Sequence, residues 1–221
     1  MLFDLRSRGR RRTVQAVYLG LAVLMGGGLV LFGVGAGNGF GGILNAFTGG
    51  GSSGAQTQVV SQAEKNALAQ TKLHPTDPAG WAALVQARWT SAGQGSDFNT
   101  STGTFTAAGT KELAGATQAW ERYLQLTKRP DPDLAILAAR AYAAQSNYAG
   151  EANAWEIETL ANPTEAKGFE CLAVSAYAAK QTRKGDLAAT KALSLVPKLS
   201  RATLQTQLNQ AKTEPQVAQE C

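Results

Sequence analysis

Residues 130–163 read PDPDLAILAARAYAAQSNYAGEANAWEIETLANP, and this stretch decides the fold. It contains two apolar runs at helical spacing, separated by a short polar turn at Ser146-Asn147 and bounded by prolines. Proline lacks the amide hydrogen that a helix interior needs, so it commonly marks a helix boundary. The stretch therefore predicts two helices joined by a tight turn, the second ending at Asn162-Pro163.

The same arrangement recurs along the chain. Pro130 and Pro163 are 33 residues apart, and Pro163 and Pro197 are 34 residues apart. A period near 34 residues built from helix pairs is typical of repeat arrays, in which each unit buries its apolar face only against its neighbours. No stretch of useful length shows the alternating pattern of a strand, so the sequence predicts an all-α fold.

Large apolar residues also recur at the same places in different units: Trp81 matches Phe169, and Leu84 matches Leu172. On this period and these positions, the chain resembles the tetratricopeptide-repeat (TPR) family over about residues 60–212. Three positions depart from the family pattern. Val85 and Glu151 stand where the family has a small residue, and Arg88 stands where it has an aromatic residue. The resemblance implies a solenoid of antiparallel helix pairs over residues 59–212, with the helix after Pro197 as its cap. The residues that match the family's motif are Trp81 and Leu84 in the first unit, Ala139, Tyr142, Tyr148, Trp155 and Pro163 in the second, and Phe169, Leu172, Ala173, Ala192 and Pro197 in the third.

Other segments depart from this regular pattern. Ser61 with Glu64 forms a capping-box pattern that predicts a helix start, and Asp77-Pro78 predicts another. Residues 93–109 are rich in Gly, Ser and Thr, which predicts an exposed loop inserted into the first unit. Its two phenylalanines, Phe98 and Phe105, either pin the loop to the domain or contact a partner. Residues 213–221 are polar and are expected to be a frayed, flexible tail.

The N-terminal part predicts a membrane anchor. Residues 14–34 contain no charged side chain, and about 20 such residues cross the hydrocarbon core of a bilayer as a helix. Five arginines and one aspartate precede it in residues 1–13, a basic segment that is expected to stay cytoplasmic. Residues 35–58 then form a Gly/Ser-rich linker. The alternative is a cleaved signal peptide, for which Val34-Gly35-Ala36 offers small residues.

The charge distribution argues against a nucleic-acid partner. The formal net charge is +5, and residues 1–13 supply +4 of it, from five Arg and one Asp. The remaining chain has 16 Lys and Arg against 15 Asp and Glu, which leaves +1. A nearly neutral domain carries no basic footprint for nucleic acid.

The two cysteines, Cys171 and Cys221, leave two interpretations open. An extracytoplasmic compartment permits a disulfide between them. We favour instead a buried free thiol at Cys171 and a mobile one at Cys221, because the latter lies in the polar tail.

No catalytic or metal-binding pattern is present in the sequence. The single histidine, His74, precedes Pro75 at a predicted helix end. A basic side chain there interacts favourably with the negative end of the helix dipole. One histidine and two distant cysteines give no zinc pattern, and no phosphate-binding glycine loop appears. We therefore expect no enzyme activity and no cofactor.

The remaining function class is binding. The TPR resemblance implies a groove lined by the first helix of each pair, which holds a protein or peptide segment. We interpret the chain as a non-enzymatic scaffold or chaperone-like adaptor in a bacterial cell envelope, single-pass in the cell membrane, with its C-terminal domain extracytoplasmic and self-association possible. The residues expected to line the groove are Gln86, Trp89, Arg140, Lys167, Glu170, Val174 and Tyr177.

The alternative is an accessory structural subunit of a secretion or envelope-biogenesis complex. In that case the transmembrane helix carries part of the contact, since Gly26-Gly27-Gly28 allows a close approach of helices.

Overall fold

The computed structural model describes residues 53–221, with side chains from residue 62 onward. The predicted basic segment, the anchor at residues 14–34 and most of the linker lie outside the described residues. Among the helices that are described, none is long and apolar enough to cross a membrane.

The described part of the chain is built from α-helices, as the sequence predicts. The helices are α1 (Ser53–Leu73), α2 (Pro78–Ala92), α3 (Ala107–Leu126), α4 (Pro132–Ala144), α5 (Tyr148–Ala161), α6 (Ala166–Ala178), α7 (Thr182–Leu195) and α8 (Arg201–Ala211). A short antiparallel hairpin of β1 (Phe98–Asn99) and β2 (Thr104–Phe105) follows a 3₁₀ turn at Gly95–Asp97. Two more 3₁₀ segments lie at Lys198–Ser200 and Pro215–Glu220.

Most helix starts lie where the sequence predicts them. Asp77 caps α2, its Oδ1 accepting the Ala79 amide at 2.9 Å, and Pro78 is the first helical residue. Asp131 caps α4 in the same way, accepting from the Asp133 amide at 2.9 Å. The helix predicted to begin at Ser61 is different, because α1 already begins at Ser53 and the supposed capping box lies inside it.

Sequence neighbours pack as antiparallel pairs. The closest associations join α2 to α3, α4 to α5 and α6 to α7, while α1 packs on α2 as an unpaired helix. A core of alanines and large apolar side chains runs through the pairs, with Trp120, Leu134 and Leu208 fully buried. The small alanines allow the helix backbones to approach closely, so that each pair is a thin layer.

Glycines in the second helix of each pair make this close packing possible. Gly115, Gly150 and Gly185 recur at intervals of 35 residues. Each lies against a side chain from the first helix of its own pair, namely Arg88, Tyr142 and Tyr177. The three pairs therefore share one packing arrangement, and Arg88 takes in the first pair the place that a tyrosine takes in the other two.

The segment predicted as an exposed loop at residues 93–109 is more ordered than the sequence indicates. Phe98 pairs with Phe105 across the hairpin, and Thr106 closes its base by donating through Oγ1 to the Asp97 carbonyl at 3.1 Å. The Thr106 Oγ1 also accepts from the Gly109 amide at 3.3 Å, which caps α3. Composition alone missed the hairpin because its strands are only two residues long.

The C-terminal tail is the largest difference from the sequence-based expectation. Residues Pro215–Glu220 form a 3₁₀ helix, here called the tail helix, and Ala218 is buried. Cys221 forms a disulfide with Cys171, with the two Cα atoms 5.6 Å apart. The expectations of a frayed tail and of free thiols are therefore wrong, because the tail returns to pack on α6 and brings the two sulfurs together.

Candidate functional site

An open cavity lies between the hairpin, the helix pairs and the end of the tail. Its volume is about 600 Å³, and we call it the hairpin cleft. Trp89 of α2 and Phe105 of β2 form one wall, and Arg140 of α4 forms part of the other. The cleft is lined in full by Trp89, Gly103, Thr104, Phe105, Thr110, Arg140, Ala143, Ala144, Gln219, Glu220 and Cys221.

The aromatic wall is a cluster of three rings. The ring centroids of Phe98 and Phe105 are 5.1 Å apart in an edge-to-face arrangement, and those of Trp89 and Phe105 are 6.4 Å apart. Trp89 and Phe105 also pack on the small buried cluster of Ala92, Leu113 and Ala141. All three rings remain half-buried, so the cluster both fixes the hairpin and offers apolar surface.

A second, smaller cavity shares this wall. Its volume is about 360 Å³, and it is lined by Trp89, Thr90, Gly93, Gln94, Phe98 and Phe105. Trp89 and Phe105 thus separate the two cavities and contribute to both. A large aromatic side chain with apolar and polar ends that borders two cavities is a common anchor for a bound peptide.

Charge in the hairpin cleft comes from two groups. Arg140 is exposed, and within the described part of the chain no carboxylate lies at ion-pair distance from it. Glu220 contributes a carboxylate from the tail side of the cleft. An arginine without a protein partner is suited to bind a carboxylate through two parallel hydrogen bonds.

The structure separates the seven residues expected to line a groove. It brings Trp89 and Arg140 together in the hairpin cleft, and Gln86 lies one helical turn before Trp89 on α2, with its carbonyl accepting from Thr90 Oγ1 at 2.8 Å. Lys167 and Glu170 lie away from the cleft and bind each other, with Nζ and Oε1 2.9 Å apart.

Val174 and Tyr177 are buried and line no open groove in this structure. Their exposed fractions are 3% and 7%. Tyr177 Oη donates to Asp186 Oδ1 at 2.8 Å, and Lys212 Nζ lies 5.0 Å from the centre of its ring. The resemblance implied a free helix face for both residues. Instead, the Tyr177 ring packs against Gly185 of α7, and the tail helix and α8 pack on α6.

Several residues of the hairpin cleft were not expected from the sequence. Gln219 and Glu220 come from a segment expected to be frayed, and Gly103 and Thr104 come from a segment expected to be a loop. The sequence signal for this part of the cleft was the pair of phenylalanines in an otherwise polar segment, which indicated a pinned loop but not what it pins against.

Two buried carboxylates on α5 lie apart from the cleft. Glu151 has no exposed surface, and neither of its oxygens has a hydrogen-bond partner among the described residues. Burial raises the pKa of Glu151 to about 8, and the nearby Trp155 N–H offsets only part of that rise. Burial also raises the pKa of Glu158, whose Oε1 accepts from Asn162 Nδ2 at 3.1 Å.

These carboxylates are not part of a candidate metal-binding group among the described residues. No group of three or more His, Cys, Asp or Glu side chains in residues 62–221 is placed to hold a metal ion. Glu158 packs against Gly168, and the buried Glu151 carboxyl lies near the indole of Trp155.

Comparison of the chain with protein-family models, curated proteins and solved structures found no match.

Proposed function

We propose that this chain is a non-enzymatic, membrane-tethered interaction scaffold of the TPR kind, and that the hairpin cleft binds a segment of a partner protein. The single observation that supports this most directly is an open cavity that has an aromatic wall and an arginine with no ion-pair partner among residues 62–221. Helix-pair arrays present such surfaces for peptides, and aromatic and arginine side chains dominate the energetics of protein interfaces.

The cleft also indicates the chemistry of the partner. An apolar side chain of the partner lies against Trp89 and Phe105, and a nearby carboxylate binds Arg140. The floor of Ala143 and Ala144 leaves room for an extended backbone, while Thr104 and Thr110 supply hydroxyl groups for it. The partner segment is therefore extended, with an apolar side chain next to an acidic one.

The disulfide supports the proposed location of the domain outside the cytoplasm. Disulfides persist in oxidising compartments and are rare in the cytosol. The arginine-rich residues 1–13 and the uncharged residues 14–34 give the same orientation, with the N-terminus inside. Protease treatment of cells without their outer barrier tests this. Cleavage of residues 57–221 from outside supports the orientation, and full protection until the membrane is broken reverses it.

Site-specific photocrosslinking tests the binding site. A photoreactive residue replaces exposed Ala144 in the cleft, and the control position is Leu160 on α5, which is 78% exposed. In the native membrane, we expect a defined adduct from position 144. Arg140→Glu should lower its yield about fivefold or more, the effect of losing roughly 1 kcal/mol at an interface. The matched variant Arg183→Glu, on the exposed surface of α7, should leave the yield unchanged.

Equal adducts from positions 144 and 160, or a yield insensitive to Arg140→Glu, would contradict binding in the cleft. The accessory-subunit alternative is tested in the same assay. If the protein is an adaptor, replacing residues 14–34 by an unrelated apolar helix should leave the crosslink from position 144 intact. Loss of the adduct on that replacement would favour a subunit that assembles through its transmembrane helix.

A further inference from the structure

The tail helix occupies a face that the packing of the helix pairs otherwise leaves open. It contacts both α4 and α6, the first helices of two successive pairs. Ala218 is 1% exposed, and Val217 packs against the main core. On α6, Cys171 is buried and is joined to the end of the tail by the disulfide. We call residues Pro215–Cys221 the strap, and the surface of α4 and α6 beneath it the strap face.

The strap lies where the TPR resemblance places a partner. The groove was expected along the first helices of successive pairs, and the strap contacts two of these, α4 and α6. Val174 of α6 is buried there, whereas the Tyr177 ring packs against Gly185 of α7 and not on the strap. The strap is a short segment with two apolar side chains between polar ones. A repeat array binds partner segments of this kind on the same helices.

Polar contacts between the strap and the rest of the described chain are few. Besides the apolar contacts of Val217 and Ala218, Gln219 Nε2 donates to Ser146 Oγ at 3.4 Å, a long and exposed hydrogen bond. Lys212, just before the strap, pairs with Asp186 at 3.1 Å, and both side chains are about half exposed. Exposed ion pairs contribute little to stability. The Cys171–Cys221 disulfide is therefore the main restraint on the strap.

We infer that the strap is an intramolecular ligand of the strap face, and that reduction of the disulfide by a dithiol releases it and exposes a second binding surface. This surface takes a partner segment like the strap, with adjacent small apolar residues in a polar context. The inference extends the proposed function, since the strap itself lines part of the hairpin cleft through Gln219, Glu220 and Cys221.

The redox step involves two electrons. A thiolate of the dithiol attacks the Cys221 sulfur, because Cys221 is half-buried whereas Cys171 has no exposed surface. The Cys171–Cys221 bond breaks and Cys171 leaves as a thiolate, which takes up a proton. The second thiolate of the reductant then attacks the reductant sulfur that is bound to Cys221 in the mixed disulfide. Cys221 leaves as a thiolate and is protonated. The dithiol ends as a disulfide, and its two protons are balanced by the two new thiols.

Release of the strap can be measured by alkylation of Cys171 in the full-length chain after reduction with dithiothreitol. The chain has two cysteines, so mass spectrometry reads each one separately. We expect Cys171 to react about tenfold or more faster than the chain unfolds globally, because local opening is less costly than global unfolding. Loss of the helical circular dichroism signal reports global unfolding, because the described chain is built from α-helices.

Two variants in the strap sharpen the measurement. Val217→Asp places a charge on a side chain that packs on the core, so it should accelerate Cys171 alkylation without changing global unfolding. Gln216→Asp adds the same charge at an exposed position of the strap and should have no effect. If Cys171 reacts only as fast as the chain unfolds, in the wild type and in Val217→Asp alike, the strap is not releasable and the inference is wrong.

A peptide tests whether the released face binds. The probe is a fluorescent peptide of residues 213–221 with Ser in place of Cys, used at about 1 mM, the effective concentration that a short tether gives. It should bind the reduced Val217→Asp chain but not the oxidised wild type, and the same peptide carrying Val217→Asp should not bind. Absence of binding to the reduced variant overturns the inference, while the crosslink from position 144 of the oxidised chain still tests the proposed function independently.

Discussion

The ring of Tyr177 lies directly against Gly185, at the point where α6 and α7 cross. A Cβ atom at Gly185 would lie 2.5 Å from Tyr177 Cδ1, closer than real Cβ atoms approach other atoms. Tyr142 and Gly150 repeat this contact in the preceding pair, where the corresponding distance is 2.7 Å. In the first pair Arg88 covers Gly115, and its Nε lies 3.3 Å from Glu64 Oε1 and 4.0 Å from Glu112 Oε2.

Gly185→Ala should therefore destabilise the chain. Alanine favours a helix over glycine by about 1 kcal/mol, but the added methyl group must displace the rigid Tyr177 ring, and overpacking commonly costs about 1–3 kcal/mol. Urea unfolding measures the net change in free energy. Gly93→Ala is the control, because its nearest neighbour would lie 3.9 Å from the new Cβ. A stabilised Gly185→Ala variant would show that the ring yields easily and that the contact is not a constraint.

The buried carboxyl of Glu151 should make stability depend on pH. Its pKa is about 8 in the folded chain, against about 4.3 for an unperturbed glutamate. At a pH between these two pKa values, the Glu151 carboxyl is ionised in the unfolded chain but still protonated in the folded chain. The free energy of unfolding therefore falls as the pH rises, by up to about 1.4 kcal/mol per pH unit from this group.

Glu151→Gln removes this titration while preserving the volume of the side chain. We expect the variant to gain stability relative to the wild type as the pH rises from 5 to 8, measured by urea unfolding at each pH. Glu156→Gln, which neutralises an exposed side chain on the same helix, controls for the change in net charge. Parallel stability curves for Glu151→Gln and the wild type across this range would contradict the assignment of the pH dependence to Glu151.

Lys180 has a left-handed backbone conformation, with φ 59°, at the end of α6. The Gln181 amide donates to the Ala176 carbonyl at 2.8 Å, a pattern that closes a helix and favours glycine at the left-handed residue. Lys180→Gly should therefore stabilise the chain by about 0.5–1 kcal/mol, measured as a shift in thermal unfolding. Ala179→Gly, at φ −77°, relieves no strain and should not stabilise it. Equal effects of the two substitutions would exclude strain at Lys180 as the cause.

Phe105 should determine the order of the hairpin. Its ring contacts both Phe98 and Trp89, so Phe105→Ala removes the contact between the hairpin and α2. We expect faster amide hydrogen exchange in residues 98–105 and a lower crosslink yield from position 144, with exchange in α4–α7 unchanged. Thr102→Ala, at the exposed tip, is the control. Unchanged exchange in the hairpin after Phe105→Ala would mean that its backbone contacts suffice to hold it.

The sequence predicts the helix pairs because proline and the capping aspartates act locally. Asp77 and Asp131 each accept a hydrogen bond from an amide two residues away, so the chain around them is sufficient to identify the helix start. The 35-residue spacing of Gly115, Gly150 and Gly185 is equally visible in the sequence. Its meaning becomes clear only when the opposing side chain on the other helix is known, because helix propensity alone treats these glycines as unfavourable.

The tail and the hairpin could not be predicted because their order comes from distant contacts. The disulfide joins residues 50 positions apart, and no local pattern in a polar segment indicates that it returns to α6. The residues of the candidate site likewise fall into a group that the sequence predicts and a group that it does not. Trp89 and Arg140 follow from their positions on helices, whereas Thr104 and Glu220 enter the cleft only through the folding of the hairpin and the strap.

The hairpin begins and ends at nearly the same point of the helix array. Thr106 bonds to the Asp97 carbonyl at its base, and α2 and α3 pack against each other as the uninterrupted pairs do. An insertion closed in this way can change its length and sequence while the helices around it keep their positions. Variation of this one short segment can therefore reshape the lining of the hairpin cleft, with little risk to the folding of the helix pairs.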